Sequence, residues 1–126
     1  MIGFGKAVLA AAVVTTVVCS ADALTATTSN GFDYNTSSLK NYKNVVNIGS
    51  RNVPLRCNTR PTSGDGAYVV ITTYSGKQVG AKTFSQYSST SDLKVSQEAG
   101  TTYKIWVGPS SGNTTVKGHL TYYQDY

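Results

Sequence analysis

The sequence predicts an all-β fold: a small antiparallel β-sandwich, jelly-roll or Ig-like, of about seven strands. Three observations carry that expectation. Short runs of β-branched and aromatic residues alternate with clusters of Gly, Ser, Asn and Pro. No stretch shows the 3.6-residue period of a useful amphipathic helix. Charged residues are only 13% of the chain, so Ser, Thr, Asn, Gln, Gly and Tyr must build the solvent face. That composition suits sheets and suits helical bundles badly.

The elements follow in order. Residues 1–23 read as a signal peptide: Lys6, an apolar run from Ala7 to Val18, then Ala21-Asp22-Ala23 as a cleavage site. The run is too short for a membrane span. The chain is therefore expected to be secreted and to act outside the cell. Residues 24–38, rich in Thr, Ser and Asn, read as a flexible N-terminal arm or at most a short edge strand. Residues 39–126 are expected to form the sandwich. Val45 to Ile48 is the first strand, and Val53 to Cys57 the second. Pro54 suggests that the second lies at an edge, since proline cannot donate to a ladder. Arg60 to Gly66 is a loop. Ala67 to Tyr74 and Lys77 to Phe84 flank Ser75-Gly76, a hairpin signal. Leu93 to Ser96 is short, and Glu98-Ala99-Gly100 is a turn. Thr101 to Val107 and Thr114 to Tyr123 are the last two strands, read as a hairpin. No internal repeat is visible.

In that hairpin, Tyr103, Ile105 and Val107 share an apolar face, as do Val116, Leu120 and Tyr122. If Val107 pairs with Thr114, Tyr103 lies over Gly118 and fills the space of its missing side chain. Lys104 then stands opposite Lys117. The outer face would gather Lys104, Trp106, Lys117, His119 and Tyr123. Like charges in a cross-strand pair cost stability, which an anionic ligand would relieve. Trp106 would offer a flat surface to a sugar ring or acyl chain. The plainer alternative is a solvated or covered face with lysine stems lying over the indole.

Other chemistry is sparse. His119 is the only histidine, so no multi-histidine metal site can be built and a nucleophile–base–acid set is hard to assemble. Asp65, Asp92 and Glu98 sit in or beside turns. No catalytic residue, metal site or cofactor is expected. Cys19 falls inside the signal, where a lipid anchor is the alternative. Cys57 is then alone, so the fold is expected to be disulfide-free, in the cysteine-poor style of many exported Gram-positive proteins. Cys57 reads as a small buried hydrophobe, with an intermolecular disulfide as the alternative. Nine tyrosines are scattered along the chain, either as core residues with hydroxyls at the rim or as a recognition surface. Asn35-Thr36-Ser37 and Asn113-Thr114-Thr115 match the N-glycosylation triplet.

Glu98-Ala99-Gly100-Thr101-Thr102-Tyr103 and Lys117-Gly118-His119-Leu120-Thr121 resemble the closing half of small bacterial jelly-roll domains of the prepeptidase C-terminal type. That resemblance implies a sandwich. The net charge of +5 favours an anionic extracellular surface, but is too dispersed to point to nucleic acid. The expected role is a non-catalytic binding module for the cell envelope, taking a cell-wall polysaccharide or anionic polymer. Peripheral membrane contact is allowed. The alternatives are an antibacterial or toxin-like effector and a self-assembling matrix protein that joins through edge strands.

Overall fold

The computed structural model describes residues 26–87, 91–112 and 114–126. The proposed signal peptide and Asn113 lie outside the described residues. Eight strands are formed: β1 (Thr27–Thr36), β2 (Lys40–Val46), β3 (Val53–Thr59), β4 (Ala67–Thr73), β5 (Gln78–Phe84), β6 (Leu93–Gln97), β7 (Thr102–Pro109) and β8 (Val116–Asp125). They make two four-stranded antiparallel sheets, ordered β1-β8-β3-β6 and β2-β7-β4-β5. That order is a jelly roll, with successive strands passing between the sheets except at the β4–β5 hairpin.

Period-two alternation explains the core. In β3, Val53, Leu55, Cys57 and Thr59 are buried, while Pro54, Arg56 and Asn58 face out. Leu55, Ile71, Phe84, Ile105 and Leu120 are completely buried between the sheets. Each such side chain contributes roughly 1.5–3 kcal/mol relative to exposure. Tyr34, Tyr103 and Tyr122 join the same core. Gly76 ends the β4–β5 turn with φ 103°, and Gly100 ends the β6–β7 turn with φ 71°. Only glycine takes such angles without steric cost.

Three expectations are corrected. The segment read as a loose arm or short edge strand is β1, a ten-residue strand pairing along its whole length with β8. Its anchors are Phe32 and Tyr34, which pack inward on Tyr42 and Tyr122. Val53–Thr59 is an interior strand between β8 and β6, despite Pro54. Pro54 is tolerated because it pairs only with Ser96, and the ladder to β8 begins one residue later at Leu55.

The third correction is the last hairpin. β7 pairs with β2 and β4, whereas β8 pairs with β1 and β3. The two strands lie in opposite sheets, facing each other across the core. Their inward faces are the expected ones: Ile105 and Val107, Val116 and Leu120 are all fully buried. The expected pairs of Lys104 with Lys117 and of Tyr103 with Gly118 do not form. Gly118 is covered instead by Tyr34, its neighbour on β1.

One end of the sandwich is closed by buried amides. Asn47 Nδ2 donates to the carbonyls of Arg51, Gln97 and Glu98 at 2.9, 3.1 and 3.2 Å. Gln97 Nε2 donates to Val45 O, and Gln124 Nε2 to Val46 O, both at 2.8 Å. Gln124 Nε2 also donates to Gln97 Oε1 at 3.1 Å. Among the described residues no buried side-chain polar atom lacks a hydrogen bond. Met demands of this kind tie loops to strands where apolar packing thins.

Candidate functional site

The five residues expected to share one face are divided between the two outer faces. Lys104 and Trp106 lie on the outside of β7, in the β2-β7-β4-β5 sheet. Lys117, His119 and Tyr123 lie on the outside of β8, in the other sheet.

The β8 side carries a network of paired charges. Arg56 Nε and Nη2 make a fork to Asp125 at 2.7 and 3.0 Å, and Nη1 reaches Asp92 at 3.0 Å. Its guanidinium lies 4.6 Å from the Tyr123 ring centroid. Asn58 donates to Asp92 at 2.6 Å, and Thr27 to Asp125 at 2.9 Å. The Arg56 guanidinium holds the Asp125 carboxyl below its ordinary value, and the two carboxylates raise Arg56 in turn. His119 Nδ1 lies 2.7 Å from Asp33 Oδ1, its cross-strand neighbour, in an exposed pair. Tyr123 thus serves as a platform for Arg56, and His119 is engaged by a carboxylate.

The β7 side differs. Asn41, Trp106, Val70 and Ala81 form one outward row across the sheet. Asn44, Lys104, Thr72 and Gln78 form the next. Trp106 Nε1 donates to Thr72 Oγ1 at 2.9 Å, which fixes the indole against the sheet. Lys104 Nζ sits 4.7 Å from the Tyr74 ring centroid and 5.9 Å from that of Trp106. One cation is therefore held between two rings, as the lysine-over-indole alternative anticipates. Tyr74, in the β4–β5 turn, is 63% exposed. From Tyr74 an open depression of about 480 Å³ continues around the end of the sandwich, lined by Lys77, Val79, Glu98 and Thr102.

Charge separates with the sheets. β2, β4, β5 and β7 carry Lys40, Lys43, Lys82 and Lys104 and no acidic residue. The other sheet sets Arg56, Lys94 and Lys117 against Asp33 and Asp125 in its strands, with Asp92 beside β6. The excess positive charge of the described residues therefore falls on the β2-β7-β4-β5 sheet and the loops. Sequence reading missed Tyr74 as a site residue because its alignment with Lys104 depends on β4 lying beside β7. The acid-free composition of those strands was visible, but not that they form one sheet.

Cys57 is fully buried and free. Burial, with a smaller effect of Asp92, pushes its thiol up to about 12, so it is no nucleophile at neutral pH. Among the described residues no three His, Cys, Asp or Glu side chains converge as metal ligands.

No family model matches the chain. No curated protein matches it. Among solved structures, the chain is similar to a subunit of Bacillus endospore appendages, a family of disulfide-linked pili. The identity is 13%, the TM-score 0.46, and the alignment covers 88% of this chain and 98% of that one.

Proposed function

We propose that this is a secreted, non-catalytic binding protein that takes an anionic polymer or glycan of the cell envelope on the outer face of the β2-β7-β4-β5 sheet. The observation that supports this most is the charge division: four strand lysines without an acid on one sheet, a balanced network on the other. A sheet of one charge sign attracts polyanions and concentrates them before contact. Of its lysines, Lys104 points to the outer face, while Lys40, Lys43 and Lys82, paired with the inward Val107, Ile105 and Val69, stand at the two edges. Lys104 supplies the cation at its centre. Tyr74 and Trp106 supply flat apolar surface on either side of it, suited to a sugar ring. Lys40 and Lys43 extend the positive field along the β2 edge. The expected site is thereby narrowed to Lys104 and Trp106, with Tyr74 added and Lys117, His119 and Tyr123 left on the opposite side.

Co-sedimentation with purified cell walls and with a soluble polyanion, at low and high salt, tests this reading. Lys104→Ala and Tyr74→Ala are expected to weaken binding, Tyr74→Ala the more, and Lys104→Ala to reduce the salt sensitivity. Lys117→Ala, on the far face, is expected to bind like the parent. Equal losses from Lys104→Ala and Lys117→Ala would place binding elsewhere.

A further inference from the structure

The two sheets leave four edge strands, β1 and β6 in one, β2 and β5 in the other. Exposed edges offer unpaired backbone groups to other chains, and proteins block them with lysine, proline, bulges or short length. β2 carries Lys40 and Lys43 and a bulge at Tyr42, where the register shifts between Asn41 and Lys43. β5 carries Lys82 and a bulge at Val79, where the partner register shifts between Ile71 and Thr72. β6 is five residues long and carries Lys94. β1 has none of these devices. It runs ten residues in unbroken register with β8, with no Lys, Arg or Pro. Its one charge, Asp33, is held by His119.

The backbone polarity of β1 can be read from two hydrogen bonds. Ala26 O accepts from Tyr126 N, so even-numbered positions turn toward β8. Asn35 N–H reaches Tyr42 Oη at 3.1 Å, so odd-numbered positions turn toward the free edge. Alternation then directs the N–H and C=O of Thr27, Ser29, Gly31 and Asp33 outward from the sheet. These four residues are exposed as well.

We propose that β1 pairs antiparallel with β1 of a second copy, in a closed two-fold dimer centred on Gly31. Every other edge is blocked, so the one unblocked edge complementary to β1 is another β1. An isologous contact of this kind closes on itself and does not propagate. Centring on Gly31 sets Ser29 opposite Asp33 of the second copy and keeps the two Asp33 carboxylates apart. Centring on Asp33 would oppose them and would bring the Asn35 amide, already bound to Tyr42, inside the ladder opposite Gly31, whereas centring on Gly31 leaves it at the ladder's end, opposite Thr27. The pairing is independent of polymer binding, because it uses the opposite sheet's edge.

Sedimentation equilibrium of the full chain tests this. The expected result is a monomer–dimer equilibrium. Ser29→Asp should weaken the dimer and Ser29→Lys tighten it, because each places a charge opposite Asp33 twice. The change in dissociation constant should be roughly two- to thirtyfold in each direction. Ser29→Pro, tolerated at an edge whose N–H faces solvent, should abolish the dimer with the monomer fold intact by circular dichroism. A monomer at every concentration, an open-ended polymer, or a dimer indifferent to all three substitutions would overturn the proposal.

Discussion

The Tyr34 ring occupies the space where a Gly118 side chain would stand. A Cβ on Gly118 would come within 2.5 Å of Tyr34 Oη and 2.8 Å of Cζ. The Tyr34 hydroxyl lies 2.8 Å from Thr59 Oγ1, which itself donates to His119 O at 2.6 Å. Tyr34 is therefore the donor, and the relay ties β1 through β3 to the backbone of β8.

Gly118→Ala is expected to destabilise the fold by about 1–3 kcal/mol, the usual cost of overpacking a core. Tyr34→Phe should cost about 1 kcal/mol through loss of the bond to Thr59. Because the two residues touch, the double variant should fall short of the sum. Urea denaturation of all three checks this.

Cys57→Ser should cost about 1–3 kcal/mol, because the site is fully enclosed and a hydroxyl there must desolvate. Reductant should leave the melting temperature of the parent unchanged. A lower melting temperature with reductant would reveal an intermolecular bridge.

Stability should be level near neutral pH and fall on both sides. On the alkaline side, burial raises Tyr34, Tyr122 and Tyr126 above their ordinary 10.0, and Cys57 from 9.0 to about 12. The unfolded chain loses these protons first, so the stabilisation is whole below pH 9 and declines as the pH rises through the folded values. On the acid side, Asp125 is held below its ordinary 3.8 by Arg56. Its contribution is present above that value and is lost as the pH falls through the lower folded one. Denaturant midpoints across the pH range test both limbs. The acid limb should flatten in Arg56→Met.

Asn47→Ala should cost about 2 kcal/mol or more, since its amide serves three carbonyls of the β2–β3 loop and the β6–β7 turn. Amide exchange should quicken first at Gly100 and Asn47, whose backbones bond to one another and across to Thr101.

Alternation along each strand was enough to say which side chains turn inward. Ile105 and Val107 on β7, and Val116, Leu120 and Tyr122 on β8, were all legible, as were the Gly76 and Gly100 turns and the buried fate of Cys57. A period of two assigns a face without naming a neighbour. Two strands with apolar faces look the same in sequence whether they lie side by side or oppose each other across a core. The sandwich resolved that choice by putting β7 and β8 in different sheets, because the β7–β8 connection crosses from one sheet to the other whereas the β4–β5 one does not. That crossing separated Lys104 and Trp106 from Lys117, His119 and Tyr123. β1 was hidden for a related reason. Its polar composition reads as loop until Phe32 and Tyr34 find Tyr42, Tyr122 and the vacancy above Gly118, contacts that only the packed tertiary structure supplies.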